Sequence, residues 1–181
     1  GRSLDWWLLR HPEHYGIHAL VKDLNRIYAD NPALWSLDHQ SDGFQWINGD
    51  DAGGNTFSYL RWGAGERGPD NVVAAILNAS GAEHQNVTVG LPFAGQWSEV
   101  LNTDAQSYGG AGRGNLGAVT AVPEGANGQP ASARMTLPPL AANFVQLIKY
   151  SSLGSVISVT EITRRGMELS SSTFRPLEIF T

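Results

Sequence analysis

The sequence predicts a mainly β protein, an antiparallel β-sandwich preceded by one or two helices. Three observations predict it. Apolar residues recur at helical spacing only near the start, short alternating runs follow from Asp42 onward, and 21 glycines and 9 prolines fall mostly between those runs. Side chains repeat with different periods in a helix and in a strand, so a switch of period marks a change of architecture.

The helix comes first. Ile17, Leu20, Val21, Leu24, Ile27 and Tyr28 form one apolar stripe, with Lys22, Asp23, Asn25 and Arg26 opposite. This is the pattern of an amphipathic helix over Ile17–Ala29. Asn31-Pro32 ends it, because a residue before proline is pushed out of the α region. A helix this short is marginal in water, so its stripe requires a partner surface.

The strands follow. Phe44 and Trp46 alternate around Gln45, and Asp50 to Asn55 supplies a turn. Phe57, Tyr59 and Arg61 then alternate with Ser58, Leu60 and Trp62. Val72–Leu77 is continuously apolar, as expected of a central strand covered on both faces. Val87–Leu91, Trp97–Leu101, Ala118–Val122, Ala133–Leu137 and Asn143–Ile148 bring the count to about eight short strands, at sandwich-like spacing. Phe44, Val73, Ile76, Val89, Val100 and Phe144 are the expected core. From Tyr150 the pattern lapses into a serine-rich tail around Arg164-Arg165. The chain thus divides at residues 1–41, 42–149 and 150–181, the last an atypical tail expected to be non-native or disordered.

Composition bounds the function. Hydrophobic residues make up 41% and charged residues 16%, a globular balance. A net charge of -5 with dispersed basic residues argues against a nucleic-acid or membrane partner. There is no cysteine, so disulfides and thiolate metal sites are excluded, in keeping with a reducing cytoplasm. The chain begins with Gly, and Gly1–Arg10 has no signal-peptide layout, so it reads as cut from something longer.

Several clusters invite chemistry and carry little. His11, His14 and His18 suggest zinc, yet Pro12 and Gly16 are expected to break the helical spacing that would gather them, leaving a solvated loop. Asp50-Asp51 with Asn55 lacks the ligand spacing of a calcium loop and reads as an acidic hairpin turn. Gly109–Gly117 has neither the lysine nor the following helix of a phosphate cradle, and reads as a long flexible loop. Asn78-Ala79-Ser80 and Asn86-Val87-Thr88 are glycosylation sequons only in a secreted protein. Glu99 with Asp104 is a formal carboxylate pair that nothing distinguishes from surface charge. No metal and no cofactor is assigned.

Read in order, local strings resemble the carboxy-terminal region of the 1,4-α-glucan (glycogen) branching enzymes, an α-amylase-like family. They are Ser3-Leu4-Asp5-Trp6, Leu20–Arg26, Pro32-Ala33-Leu34-Trp35, Asp42–Ile47, Gly95–Asp104, Tyr108-Gly109-Gly110 and Leu137–Ala141. The resemblance runs from Ser3 to Lys149. It implies that residues 1–41 are the terminal loop and last helix of a catalytic (β/α)8 barrel, and that 42–149 are the α-amylase-type C-terminal all-β domain. The implied parent transfers α-1,4-glucan segments to 6-hydroxyls in glycogen biosynthesis. That chemistry needs two carboxyl groups about 5–5.5 Å apart. The motifs that carry them in the family have no match in this chain, so an accessory piece, inactive alone, is expected. Its implied partners are the missing barrel and, weakly, an α-glucan such as glycogen or amylose.

Asp5, Trp6 and Tyr108 are the substrate-binding candidates. Aromatic faces stack on pyranose rings and carboxylates bind hydroxyls, whereas Trp7 is assigned to packing against the barrel. Two other classes compete. A free-standing carbohydrate-binding module would show exposed tryptophans in a planar row, and an Ig-like interaction domain would need no sugar affinity.

Overall fold

The computed structural model describes residues 5–147. The segment 150–181, read above as an atypical tail, lies outside the described residues. A 3-10 turn, Trp6–Arg10, leads into helix α1, Pro12–Asp30. Short 3-10 turns at Pro32–Leu34 and Ser41–Gly43 connect it to eight strands. These are β1 (Phe44–Asp51), β2 (Thr56–Trp62), β3 (Val72–Asn78), β4 (His84–Leu91), β5 (Gly95–Asn102), β6 (Ala118–Ala121), β7 (Ala131–Leu137) and β8 (Ala141–Leu147).

All pairings are antiparallel. One sheet has the order β1-β2-β3-β8-β5-β6, and β4 and β7 pair as a second, smaller sheet. The core lies between them. Leu60, Trp62, Val72, Ala74, Ile76, Trp97 and Val145 from the large sheet meet Val89, Leu91, Met135 and Leu137 from the small one. Trp97 is wholly buried, and its indole N–H donates to the Phe93 carbonyl at 3.1 Å. A buried indole thus keeps its hydrogen bond. Asn78 is the polar counterpart. Its amide nitrogen donates to the carbonyls of Ala82, Leu137 and Pro138, tying β3 to the β7–β8 connection.

Helix α1 extends five residues further toward the N-terminus than the apolar stripe suggested. Pro12 occupies the first helical position, where its missing N–H costs nothing. Gly16 lies inside the helix rather than ending it. His14 and His18 therefore share a helical face, contrary to the loop expected there. Among the described residues, no group of three or more His, Asp or Glu is arranged to hold a metal ion.

The expected core needs three corrections, one of them at a β-bulge. Phe44 is 38% exposed. It pairs with Arg61, and Trp46 with Tyr59, on the outer face of the sheet, so strand alternation turns Ile47 inward instead, ahead of the register shift at Asn48. Val100 is half-buried because it is the extra residue between the pairs Glu99↔Val145 and Leu101↔Phe144, and the buried Leu101 shares the outer face of the sheet with Phe144. Phe144 is also half-buried, since it pairs with Ala75 on the outer face. Val73, Ile76 and Val89 are buried as expected.

The glycine-rich segment is clasped rather than loose. The Asp104 carboxylate accepts the backbone N–H groups of Ala111 and Arg113 at 3.1 and 3.0 Å, and its carbonyl accepts that of Gly112. Asn115 bridges Glu99 and Thr136. The loop runs through left-handed conformations at Gly109, Gly112 and Gly117, which glycine adopts without penalty. The Asp50–Asn55 turn is as expected. Asp51 accepts from Thr56 Oγ1 and the Gly54 N–H, and these bonds hold its carboxyl below the usual range.

Candidate functional site

Two surfaces meet on the outer face of the large sheet. The first is the seat of α1. Gly16 lies directly on the backbone of the 3-10 turn Gln106–Tyr108: a Cβ there would come within 2.7 Å of the Tyr108 carbonyl carbon. Two helical turns on, Asp23 Oδ2 accepts the Tyr108 hydroxyl at 2.7 Å. Ile27 is buried farther along the same face. Burial first, then the hydrogen bond to Asp23, pushes the Tyr108 phenol up to about 12. Near the end of α1, Leu24, Ile27 and Tyr28 face Leu34, Tyr59, Arg61 and Phe144 across a cleft of about 340 Å3. Arg61 pairs with Asp38 and donates to the Leu34 carbonyl, which pins the connection after α1 to the sheet.

The helix has a second apolar stripe that stays largely exposed among the described residues. Ile17 is 62% exposed, and Val21 and Tyr28 are each 49% exposed. They lie at i, i+4 and i+11, one face of the helix, about a third of a turn from the seated Gly16–Asp23–Ile27 face. Trp6 and Trp7, on the preceding turn, are exposed as well.

The second surface is aromatic. Phe44 and Trp46 of β1 and Tyr59 of β2 gather with ring centroids 5.0 to 6.1 Å apart. Phe44 and Tyr59 lie stacked, at 30° between planes; Trp46 stands edge-on to both, at 89° and 85°. Trp46 is 55% exposed and rests on Gly49, where a Cβ would come within 3.0 Å of the ring. The cluster is compact and angled, not the planar row that a free-standing carbohydrate-binding module was expected to show.

The sequence candidates fall on separate elements. Asp5 and Trp6 sit at the start of the first 3-10 turn, both exposed, with the Asp5 carbonyl accepting the Leu8 N–H. Tyr108 meets α1 at Gly16 and Asp23, and also borders a cleft of about 390 Å3 with Glu99, Gln106 and Arg113. Trp7 packs edge-on against His11. Glu99 and Asp104 are engaged in clasping the glycine-rich loop, as their hydrogen bonds show. The aromatic cluster escaped the sequence reading because Phe44 was assigned to the core. The available signal was that Phe44 and Trp46 share one face of a strand whose opposite face carries Ile47, a sufficient core residue, beside Gln45.

Residues 46–147 match the model of the family described as alpha amylase, C-terminal all-beta domain. The chain is 52% identical over 145 residues to the 1,4-alpha-glucan branching enzyme GlgB of Leifsonia xyli subsp. xyli, covering 80% of this chain and 19% of that protein. Against the enzyme of the same name from Thermobifida fusca it is 49% identical over 144 residues, or 79% of this chain and 19% of the relative. Against that of Cupriavidus necator it is 50% identical over 141 residues, or 77% and 18%. The chain thus spans about a fifth of the length of the curated relatives it matches. The two antiparallel sheets of residues 44–147 agree with the all-beta description of the matching model, and the chain belongs to the alpha-amylase C-terminal all-beta domain family.

Proposed function

We propose that the chain serves as the carboxy-terminal accessory portion of a 1,4-α-glucan branching enzyme, supporting a catalytic barrel and contributing glucan contacts while supplying no catalytic carboxylate. One observation carries the reading. Helix α1 is seated on the β domain along Gly16, Asp23 and Ile27, yet a second apolar stripe, Ile17, Val21 and Tyr28, stays largely exposed among the described residues. A helix seated on one face and apolar on another is built to lie between two bodies, and a catalytic barrel of the same enzyme is the body proposed for the second face. Glycogen biosynthesis in the cytoplasm is the setting that follows from this assignment. No helix among the described residues is long and apolar enough to cross a membrane.

The glucan contacts are proposed at the Phe44–Trp46–Tyr59 cluster and at Asp5 and Trp6. The exposed ring faces offer stacking surface to pyranose rings, and Asp5 offers acceptors to hydroxyls. Tyr108, whose hydroxyl is engaged with Asp23, offers its ring.

The test combines activity and binding. The purified chain incubated with amylose should leave iodine staining and debranched chain-end profiles unchanged. New α-1,6 linkages in proportion to protein would overturn the accessory role. Retardation in amylose-containing native gels should be weak, and lost in Trp46→Ala with no change in unfolding temperature. Retention of full retardation by Trp46→Ala would remove the aromatic cluster from the glucan surface.

A further inference from the structure

Two asparagines in this chain precede glycine, Asn48-Gly49 and Asn127-Gly128, and the fold treats them differently. We propose that Asn48 is a spontaneous modification site, converting to aspartyl and isoaspartyl forms in the folded protein, while Asn127 is protected. The inference does not rest on the glucan reading.

The chemistry needs only the chain and water. The Gly49 backbone nitrogen, having given its proton to solvent, attacks Cγ of Asn48. An N–Cγ bond forms, the bond from Cγ to its amide nitrogen breaks, and ammonia leaves with a proton taken from solvent. Water then opens the resulting succinimide. Opening at Cγ leaves an ordinary aspartate; opening at the backbone carbonyl leaves the chain running through Cβ and Cγ, longer by one methylene. One water is consumed and one ammonia released, with no change of oxidation state.

The geometry at Asn48 favours the attack. Its Oδ1 accepts the Asp50 N–H at 3.2 Å. This closes a ring of side-chain and backbone atoms that contains both Cγ and the Gly49 nitrogen, so the side chain is folded toward its own C-terminal peptide. Gly49 has no partner in the strand register, which passes from Asn48↔Ser58 to Asp51↔Thr56, and it is exposed. Without a side chain, Gly49 neither blocks the approach to its nitrogen nor resists the backbone rotation that closing the ring requires. Asn78 and Asn102 fold back in the same way, onto Ser80 and Asp104, but Ala79 and Thr103 stand where the glycine is needed.

Asn127 has the glycine without the folding. It sits in a two-residue turn at φ +50°, followed by Gly128 at +74°. Its Oδ1 is turned away to accept the Gly90 N–H at 3.1 Å, holding Cγ off the Gly128 peptide.

Conversion at Asn48 changes the surface above it. Gly49 supports the Trp46 ring, so an added backbone methylene shifts that support. The new carboxylate arrives beside Asp50 and Asp51.

The test is to incubate the whole chain in mildly alkaline buffer, folded and in concentrated urea. The amide-to-acid mass increase is followed at each asparagine by peptide mapping, with enzymatic methylation of isoaspartyl groups as a second readout. In the folded protein Asn48 should convert about tenfold faster than Asn127, the rate equivalent of the hydrogen bond Asn127 must surrender. In urea the two rates should converge, because both asparagines precede glycine. Equal rates in the folded chain, or faster conversion at Asn127, would overturn the proposal. So would conversion at Asn78 or Asn102 as fast as at Asn48.

Discussion

The seat of α1 on the β domain depends on one missing side chain, and Gly16→Ala measures how much. Two effects oppose each other. In an isolated helix the change stabilises by about 1 kcal/mol, because glycine is a poor helix former. In the folded chain the new methyl would lie 2.7 Å from the Tyr108 carbonyl carbon and 3.3 Å from the Gly109 nitrogen, against ordinary contacts no closer than 3.4 Å. Those neighbours are backbone within a turn closed by hydrogen bonds from Tyr108 N–H to Ala105 and from Gly109 N–H to Gln106, so they cannot rotate aside. Overpacking of this kind costs about 1–3 kcal/mol, and an unyielding neighbour places it at the upper end. The net expectation is a loss of about 1–2 kcal/mol, equivalent to a fall in Tm of roughly 3–6 °C for a unit of this size. The cheapest escape is for the helix to lift, which would also part Asp23 from Tyr108. Tyr108→Phe alone should cost about 1 kcal/mol, since Asp23 is partly solvated. Added to Gly16→Ala it should cost nearly nothing, because the bond is already gone. Thermal unfolding of the two single variants and the double, with amide exchange over residues 16–27, provides the assay. An unchanged or raised Tm in Gly16→Ala, or strict additivity in the double variant, would refute this account of the seat.

Three further outcomes follow from the described core and its titrating groups. Trp97→Ala should destabilise by about 3–5 kcal/mol in denaturant titration, because it empties the centre of the sandwich at a fully buried position. Asn78→Ala should cost about 2–4 kcal/mol, because the carbonyls of Leu137 and Pro138 lose a buried donor. The pH dependence has a definite sign. The Tyr108 phenol is raised from 10.0 to about 12 in the folded chain, so its stabilising contribution is complete below pH 10 and is lost as pH climbs toward 12. Stability measured across that alkaline window should fall less steeply in Tyr108→Phe than in the parent chain.

Periodicity is a local property, and what depends on it was legible in the residues. The helical spacing from Ile17 to Tyr28, the continuous run Val72–Leu77 and the alternation Val87–Leu91 each specify an element whose face is decided by nearest neighbours along the chain. Register is not local. The bulges at Ile47 and Val100 are set by pairing with β2 and β8, and a slip of one residue sends every following side chain to the other face. Which face of β1 turns inward is likewise decided by pairing with β2, and Phe44, expected in the core, stands outside with Trp46 and Tyr59 and builds the aromatic surface. Gly16 looked like a helix breaker because its reason lies at Tyr108, far along the chain, where only a bare backbone allows α1 to sit down. Five glycines in the Gly109–Gly117 segment suggested freedom, yet the Asp104 carboxylate closes that loop from outside its own glycine run. Asn48-Gly49 and Asn127-Gly128 are the same dipeptide in sequence. Tertiary structure alone turns one side chain onto its own backbone and the other toward Gly90, because a hydrogen bond goes to the partner that folding places within reach.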